Sequence, residues 1–250
     1  MLLLCNGPYK SGSTWLYNLI REISSAQLPP EELCNPDWKH SSIRFSEIIT
    51  FAKSEKGRKS TYLSKHHFRP EQVYQLAKHA PDEILFFSIE RELSDALVSA
   101  WYHYQNQNQT ELSFPAFYWR FGRFNSLGII RHNLAMRSLA KDKACILRYE
   151  KLLEKPQDEV NRLISFLGKF AITTDPQLIL KATSIDRLRS KYDGSSVVNG
   201  KAFFRSGISG EGEKYVTGGM AKDLDRLQRA RRDSLFQRAR AKIQLMKLSK

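Results

Sequence analysis

Leu2-Leu3-Leu4-Cys5-Asn6-Gly7-Pro8-Tyr9-Lys10-Ser11-Gly12-Ser13-Thr14-Trp15 opens the chain, and its reading decides the fold. A short apolar run ends at Gly7-Pro8, a loop of small residues follows, and Ser13 or Thr14 starts a segment of helical pattern. That order predicts a buried strand, a turn and a helix, with loop N–H groups and the positive helix N-terminus directed at an anion. Lys10 adds a full charge to the same loop. Gly7 and Gly12 begin the triphosphate pattern G-x-x-x-x-G-K-[ST], but Ser13 stands where that pattern requires lysine. The lysine lies inside the loop instead, so its charge meets a ligand from another direction.

Further along, short apolar segments alternate with longer amphipathic ones. Strands are predicted over 2–6, 61–67, 84–89 and 145–148, and helices over 14–23, 71–79, 93–104 and 157–167, with Gly168 stopping the last. This rhythm predicts a single α/β domain spanning 1–250, a central parallel sheet flanked by helices with a P-loop-like phosphate loop at its start. In such sheets, ligands bind outside the carboxyl ends of the strands. Between Glu31 and Arg58 the periodicity fails; with Pro29 and Pro30 just before it and Pro36 and Gly57 within it, loop with short helices is expected.

Bulk properties narrow the function classes. The 250 residues are 41% hydrophobic and 26% charged, and no apolar run approaches the roughly 20 residues of a membrane helix. The leading apolar run is too short for a signal peptide and lacks a basic leader, so a buried first strand is expected. Cys5, Cys34 and Cys145 are too scattered for a disulfide framework or a zinc site, so a reducing cytoplasm is the expected location. A net charge of +14 attracts anions, whether nucleic acid, anionic lipid, acidic glycan or a multiply charged cofactor. Much of the excess lies in a predicted basic C-terminal helix over about 221–250, where Leu224, Leu227, Leu235, Ile243 and Leu245 form an incomplete apolar stripe. That stripe favours docking on the domain. A nucleic-acid role would call for interleaved aromatics, and the tail offers only Phe236.

Two further clusters carry chemistry. Lys65-His66-His67 ends the second strand, and alternation puts Lys65 and His67 on one face with His66 on the other. Arg91 ends the third strand, with Ser99 eight residues on. A guanidinium and a hydroxyl make a clamp for a phosphate monoester. Taken singly, a strand-end histidine is more often structural, and Arg91 could equally pair with Asp95 one helical turn onward.

The order of these clusters reverses that balance. Lys10-Ser11-Gly12-Ser13-Thr14-Trp15 closely resembles the K-S-G-T-T-W element with which sulfotransferases grip the 5′-phosphosulfate of 3′-phosphoadenosine 5′-phosphosulfate (PAPS). Tyr9 stands where that family usually has proline. Lys65-His66-His67 resembles the family's K-T-H element, which aligns His67 with the catalytic histidine and Lys65 with its companion lysine. His66, in the threonine's place, is the second candidate for the base. Arg91, Asp95 and Ser99, followed by Trp101-Tyr102-His103-Tyr104, resemble the 3′-phosphate element. Tyr149, within Arg148-Tyr149-Glu150-Lys151-Leu152, resembles a tyrosine on the adenine side of the cofactor. Thr183-Ser184-Ile185 resembles a T-S-F element, with Ile185 replacing the aromatic. Arg205-Ser206-Gly207 resembles the start of the R-K-G-x-x-G segment around the 3′-phosphate, with Ser206 replacing lysine.

The resemblance implies transfer of a sulfonyl group from PAPS to an acceptor, with 3′-phosphoadenosine 5′-phosphate (PAP) as product. His67 would be the base with Lys65 as its companion lysine, Lys10 would offset growing charge, and no metal would be needed. The acceptor is expected to be a small molecule or glycan hydroxyl, sulfonation of nitrogen staying open; a nucleic-acid partner is not expected. The aromatic stretch Phe114, Phe117, Tyr118, Trp119, Phe121 and Phe124 reads equally as acceptor pocket or as core. The family's dimer pattern K-x-x-x-T-V-x-x-x-E does not follow Lys214, so the sequence assigns no oligomeric state. Two rival readings stand beside this one. A P-loop kinase or NTPase would need a lysine after Gly12 and an acidic metal ligand ending a later strand. A basic protein binding nucleic acid or anionic surfaces would rely on the tail.

Overall fold

The computed structural model describes residues 1–36, 42–196 and 207–230. Among these, β1 (Leu2–Asn6), β2 (Tyr62–His66), β3 (Ile84–Glu90) and β4 (Ala144–Arg148) form a parallel sheet in the order β2-β1-β3-β4. Cys5 pairs with Lys65 and Asn6 with His66 across β1 and β2, so the ends of these two strands are level. The chain passes from β1 to β2 on one side and then crosses to β3 on the other. The crevice at the carboxyl ends of β1 and β3 is therefore the topological switch point, where ligands of open α/β sheets bind.

Helices cover both faces because the central strands are apolar on both. α1 (Ser13–Ile23) follows the loop after β1. α2 (Phe45–Lys53) and α3 (Glu55–Lys59) occupy the segment expected to hold short helices. α4 (Pro70–His79), α5 (Leu93–Asn108), α6 (Phe114–Phe117) and α7 (Arg123–Arg137) lead to β4. Beyond it come α8 (Tyr149–Glu154), α9 (Pro156–Leu167), α10 (Pro176–Ala182), α11 (Ile185–Ser196), α12 (Gly212–Tyr215) and α13 (218–230).

Alternation along the strands divides the core. Leu3, Cys5, Leu63, Phe87, Ile89 and Leu147 pack against α1 and α9, whereas Leu2, Leu4, Tyr62, Ile84 and Phe86 pack against α2, α4 and Met136 of α7. A third cluster joins α5, α6, α7, α12 and α13 through Leu97, Phe117, Tyr118, Ile129, Val216 and Met220. Phe114, Phe117 and Tyr118 are therefore core, while Trp119 and Phe124 face outward at 52% and 70% exposure. Of the predicted terminal basic helix, only the part up to 230 lies within the described residues.

Candidate active site

The loop after β1 takes two left-handed residues to turn the chain into α1. Lys10 has φ 62 and Gly12 has φ 97. Glycine accepts that conformation freely, whereas a lysine there is uncommon and bears strain held by the surrounding loop. Gly12 is also the N-cap of α1, and no side chain caps the first turn. The positive end of α1 is thus kept for whatever enters the loop. Tyr9, in the position of the family's usual proline, sets its ring edge-on to His103 of α5, with centroids 5.7 Å apart.

The end of β2 is bonded directly to this loop. Lys65 Nζ donates to Thr14 Oγ1 at 2.8 Å, and His67 Nδ1 lies 2.6 Å from the Gly7 carbonyl oxygen. A carbonyl only accepts, so the proton sits on Nδ1 and Nε2 carries the lone pair. Burial is the main reason that the His67 pKa falls to about 4, and Lys65 adds to it. The ring is neutral at neutral pH. Burial likewise lowers Lys65 to about 8, leaving its ammonium charged but poorly solvated. His66 points to the other face, 2.7 Å from Ser64 Oγ and stacked on Phe68 with centroids 4.1 Å apart. Its role in the fold is that of a satisfied core histidine, 3% exposed.

On the far side of the crevice, Arg91 and Tyr149 meet the loop. The Arg91 guanidinium lies 4.4 Å over the Tyr149 ring, and that ring is edge-on to Trp15 at 5.8 Å. Arg91 Nη2 donates to the Ile208 carbonyl at 2.9 Å rather than to Asp95. Asp95 instead accepts from the backbone N–H groups of Gly210 and Gly212, at 2.8 and 2.6 Å, and so pins the late glycine segment to α5. Gly207 begins that segment at φ 68, where a Cβ would stand 2.3 Å from Ile185 Cδ1. Arg205 and Ser206 lie outside the described residues.

Thr183 is buried at the end of α10, its hydroxyl donating to the Ile179 carbonyl at 2.8 Å. Ser99 is half-buried on α5. The structure thus brings Lys10, Ser11, Gly12, Ser13, Thr14, Trp15, Lys65, His67, Arg91 and Tyr149 together, and no contact described here ties Thr183 or Ser99 to them. Sequence reading missed Asn6, whose side-chain oxygen accepts the Phe68 N–H at 2.7 Å, and His132 of α7, 2.9 Å from the Asn6 carbonyl. Neither carries a motif; both act through backbone.

The set fits an anionic nucleotide. Ser11 Oγ, Trp15 Nε1 and Arg91 Nε are buried without a hydrogen-bond partner among the described residues. Buried polar atoms are seldom left so, and these three belong to the loop, the first turn of α1 and the clamp arginine. The P-loop NTPase arrangement fits less well. Glu90 ends β3 as an acidic metal ligand would, but Arg137 grips it through Nε at 2.7 Å and through Nη2. Among the described residues no cluster of three or more histidine, cysteine, aspartate or glutamate residues could hold a metal ion. No helix there is long and apolar enough to cross a membrane.

Comparison with known proteins agrees with this geometry. Cytosolic sulfotransferase 11 of Arabidopsis thaliana is 27% identical, the match covering 90% of this chain and 71% of that protein. Human sulfotransferase 2A1 is 25% identical over 87% of this chain and 79% of its own length. Mouse sulfotransferase SULT7A1, solved with PAP, superposes with a TM-score of 0.66 at 19% identity, covering 90% of this chain and 82% of that one. Retinol dehydratase, solved with androsterone and PAP, gives a TM-score of 0.63 at 15% identity, covering 92% and 79%. Residues 2–247 match the family described as sulfotransferase domain, and with loop, histidine strand and arginine clamp meeting at one crevice, the chain belongs to that family.

Proposed function

We propose that this sulfotransferase moves the sulfonyl group of PAPS to the hydroxyl of a small apolar molecule, with His67 as general base. The observation that carries the reading is the pair of bonds joining Lys65 to Thr14 and His67 to Gly7, which hold the base strand against the phosphate loop. Ser11, Gly12, Ser13, Thr14 and Trp15 would hold the 5′ end of the donor. Arg91, with Ser99 and the Arg205-Ser206-Gly207 segment, would take its 3′-phosphate, and Tyr149 and Thr183 would lie toward the adenine. When bound, PAPS supplies the electrophilic sulfur, whose bond to the phosphate oxygen breaks as the acceptor oxygen attaches.

His67 Nε2 takes the acceptor proton, with a neutral ring already bearing its lone pair. Lys10 and Lys65 offset charge on the departing phosphate oxygen, and the burial of Lys65 strengthens its share of that interaction. An apolar acceptor is supported by what the relatives are called: one, 24% identical, is a 3-alpha-hydroxysteroid sulfotransferase from Cavia porcellus. Two relatives are called cytosolic, which supports a cytosolic place for this chain as well.

The test is His67→Ala, assayed for turnover with labelled PAPS and for PAP binding by calorimetry. Turnover should fall by about 10²- to 10⁴-fold while PAP affinity stays within a factor of about three. Unchanged turnover would remove His67 from the role of base.

A further inference from the structure

We infer that His132 is a positioning residue for the base His67. The inference rests on the sulfonyl-transfer reading above. His132 is 4% exposed in α7, and its hydrogen-bond partners Asn6, Ser88 and Phe68 are not among the residues assigned to the donor. It reaches the carboxyl ends of three parallel segments at once. Its Nε2 lies 2.9 Å from the Asn6 carbonyl oxygen and 3.3 Å from Ser88 Oγ on β3, and its Nδ1 lies 3.4 Å from the Phe68 carbonyl oxygen.

Those contacts bracket His67. Asn6 precedes Gly7, whose carbonyl receives the His67 Nδ1 proton at 2.6 Å, and Phe68 follows His67 and is itself held by Asn6 Oδ1 at 2.7 Å. The Asn6-Gly7 and His67-Phe68 pairs thus form one frame, and His132 anchors its Asn6 side from α7. The Nε2–H of a neutral ring donates to the Asn6 carbonyl, fixing the peptide plane on which the orientation of Gly7 depends. The Gly7 carbonyl then dictates the His67 tautomer that leaves the lone pair on Nε2. A base misplaced by even a fraction of an ångström loses rate out of proportion to its binding effect. Lys65, Lys10, His66 and His132 itself are the ionisable groups acting on His67 or flanking it, so the tautomer is a cleaner readout than a pH profile.

The experiment compares His132→Leu, which lacks a donor, with His132→Gln, whose amide N–H can still reach the Asn6 carbonyl. Both are assayed for kcat and KM with PAPS, for PAP binding, and by ¹⁵N NMR of histidine side chains. For His132→Leu, kcat should fall about 10- to 100-fold with KM for PAPS and PAP affinity changed less than about three-fold. The His67 signal should shift toward the Nε2–H tautomer. His132→Gln should recover most of the rate and the native tautomer. If both variants lose rate equally with the His67 tautomer unchanged, or if His132→Leu keeps its rate, the inference is overturned. Should the leucine variant fail to fold, the glutamine variant decides through its tautomer and rate. Failure of the underlying reading shows differently, as a wild-type protein that neither binds PAP nor transfers sulfonyl.

Discussion

Lys65 and His67 lie two residues apart, and burial drives both pKa values down, yet the proposed reaction needs one charged and the other neutral. As the proposed base, His67 must be neutral to accept a proton, which holds above its pKa of about 4 and is lost as pH falls through that value. Lys65 must be charged, which holds below about 8 and is lost as pH rises through it. The rate under limiting acceptor should therefore form a plateau between these limits rather than a narrow peak near neutrality, and kcat/KM measured from pH 4 to 9.5 checks it. A base titrating near its ordinary value of about 6.5 would contradict the burial argument. Arg91 gives a second residue-scale expectation. Arg91→Lys keeps a charge but loses the planar group over Tyr149 and its paired N–H donors. It should weaken PAP at least about ten-fold while weakening adenosine 5′-phosphate, which lacks the 3′-phosphate, by less than about two-fold; titration calorimetry with both ligands separates the cases.

At the scale of elements, the phosphate loop is the point where backbone conformation and packing coincide. Gly12 sits at φ 97 with a Cβ position 2.8 Å from the Tyr149 ring, whereas Gly168 sits at φ 53 with nothing within 4 Å. Gly168→Ala carries conformational strain alone, and Gly12→Ala carries strain and a clash with a ring already enclosed by Trp15 and Arg91. Thermal unfolding should show Gly12→Ala to be the less stable by about 1–3 kcal/mol, with PAP binding lost only there.

The same scale shows what sequence could convey. The four strands and the helices beside them were legible within a few residues because apolar runs buried on both faces leave an unmistakable pattern. α7 was not read at all. It packs through Ile129, Ala135 and Met136 and spends its other positions on Ser126, His132 and Arg137, so its periodicity is masked by residues that serve hydrogen bonds. The loop lysine and strand histidine were legible as motifs. Asn6 and His132, which hold the backbone around them, were not, because a side chain bonding to a distant peptide group has no local spacing to betray it.

Across the whole molecule, the buried histidines couple folding to acid. Burial is the leading cause of lowered pKa values at His66, His67 and His132, to about 3 for the first and about 4 for the second. In the unfolded chain each would take up a proton near about 6.5. Between that value and the folded pKa the unfolded state binds more protons, so stability is full above about 6.5 and declines as pH falls toward the folded values. Each such histidine adds up to about 1.4 kcal/mol per pH unit to the slope. Urea unfolding at pH 7.5, 6, 5 and 4.5 should show stability nearly flat at the top of the range and steepening below about 6. His66→Gln tests one contribution, because it removes the ring that Ser64 and Phe68 enclose on the face opposite Lys65 and His67. The variant should lose stability at pH 7.5, yet its decline between pH 6 and 4.5 should be shallower than wild type by about one proton. An identical slope in the two proteins would mean that His66 is protonated in the folded state, and the account of the sheet's carboxyl edge as a desolvated frame for the base would fail with it.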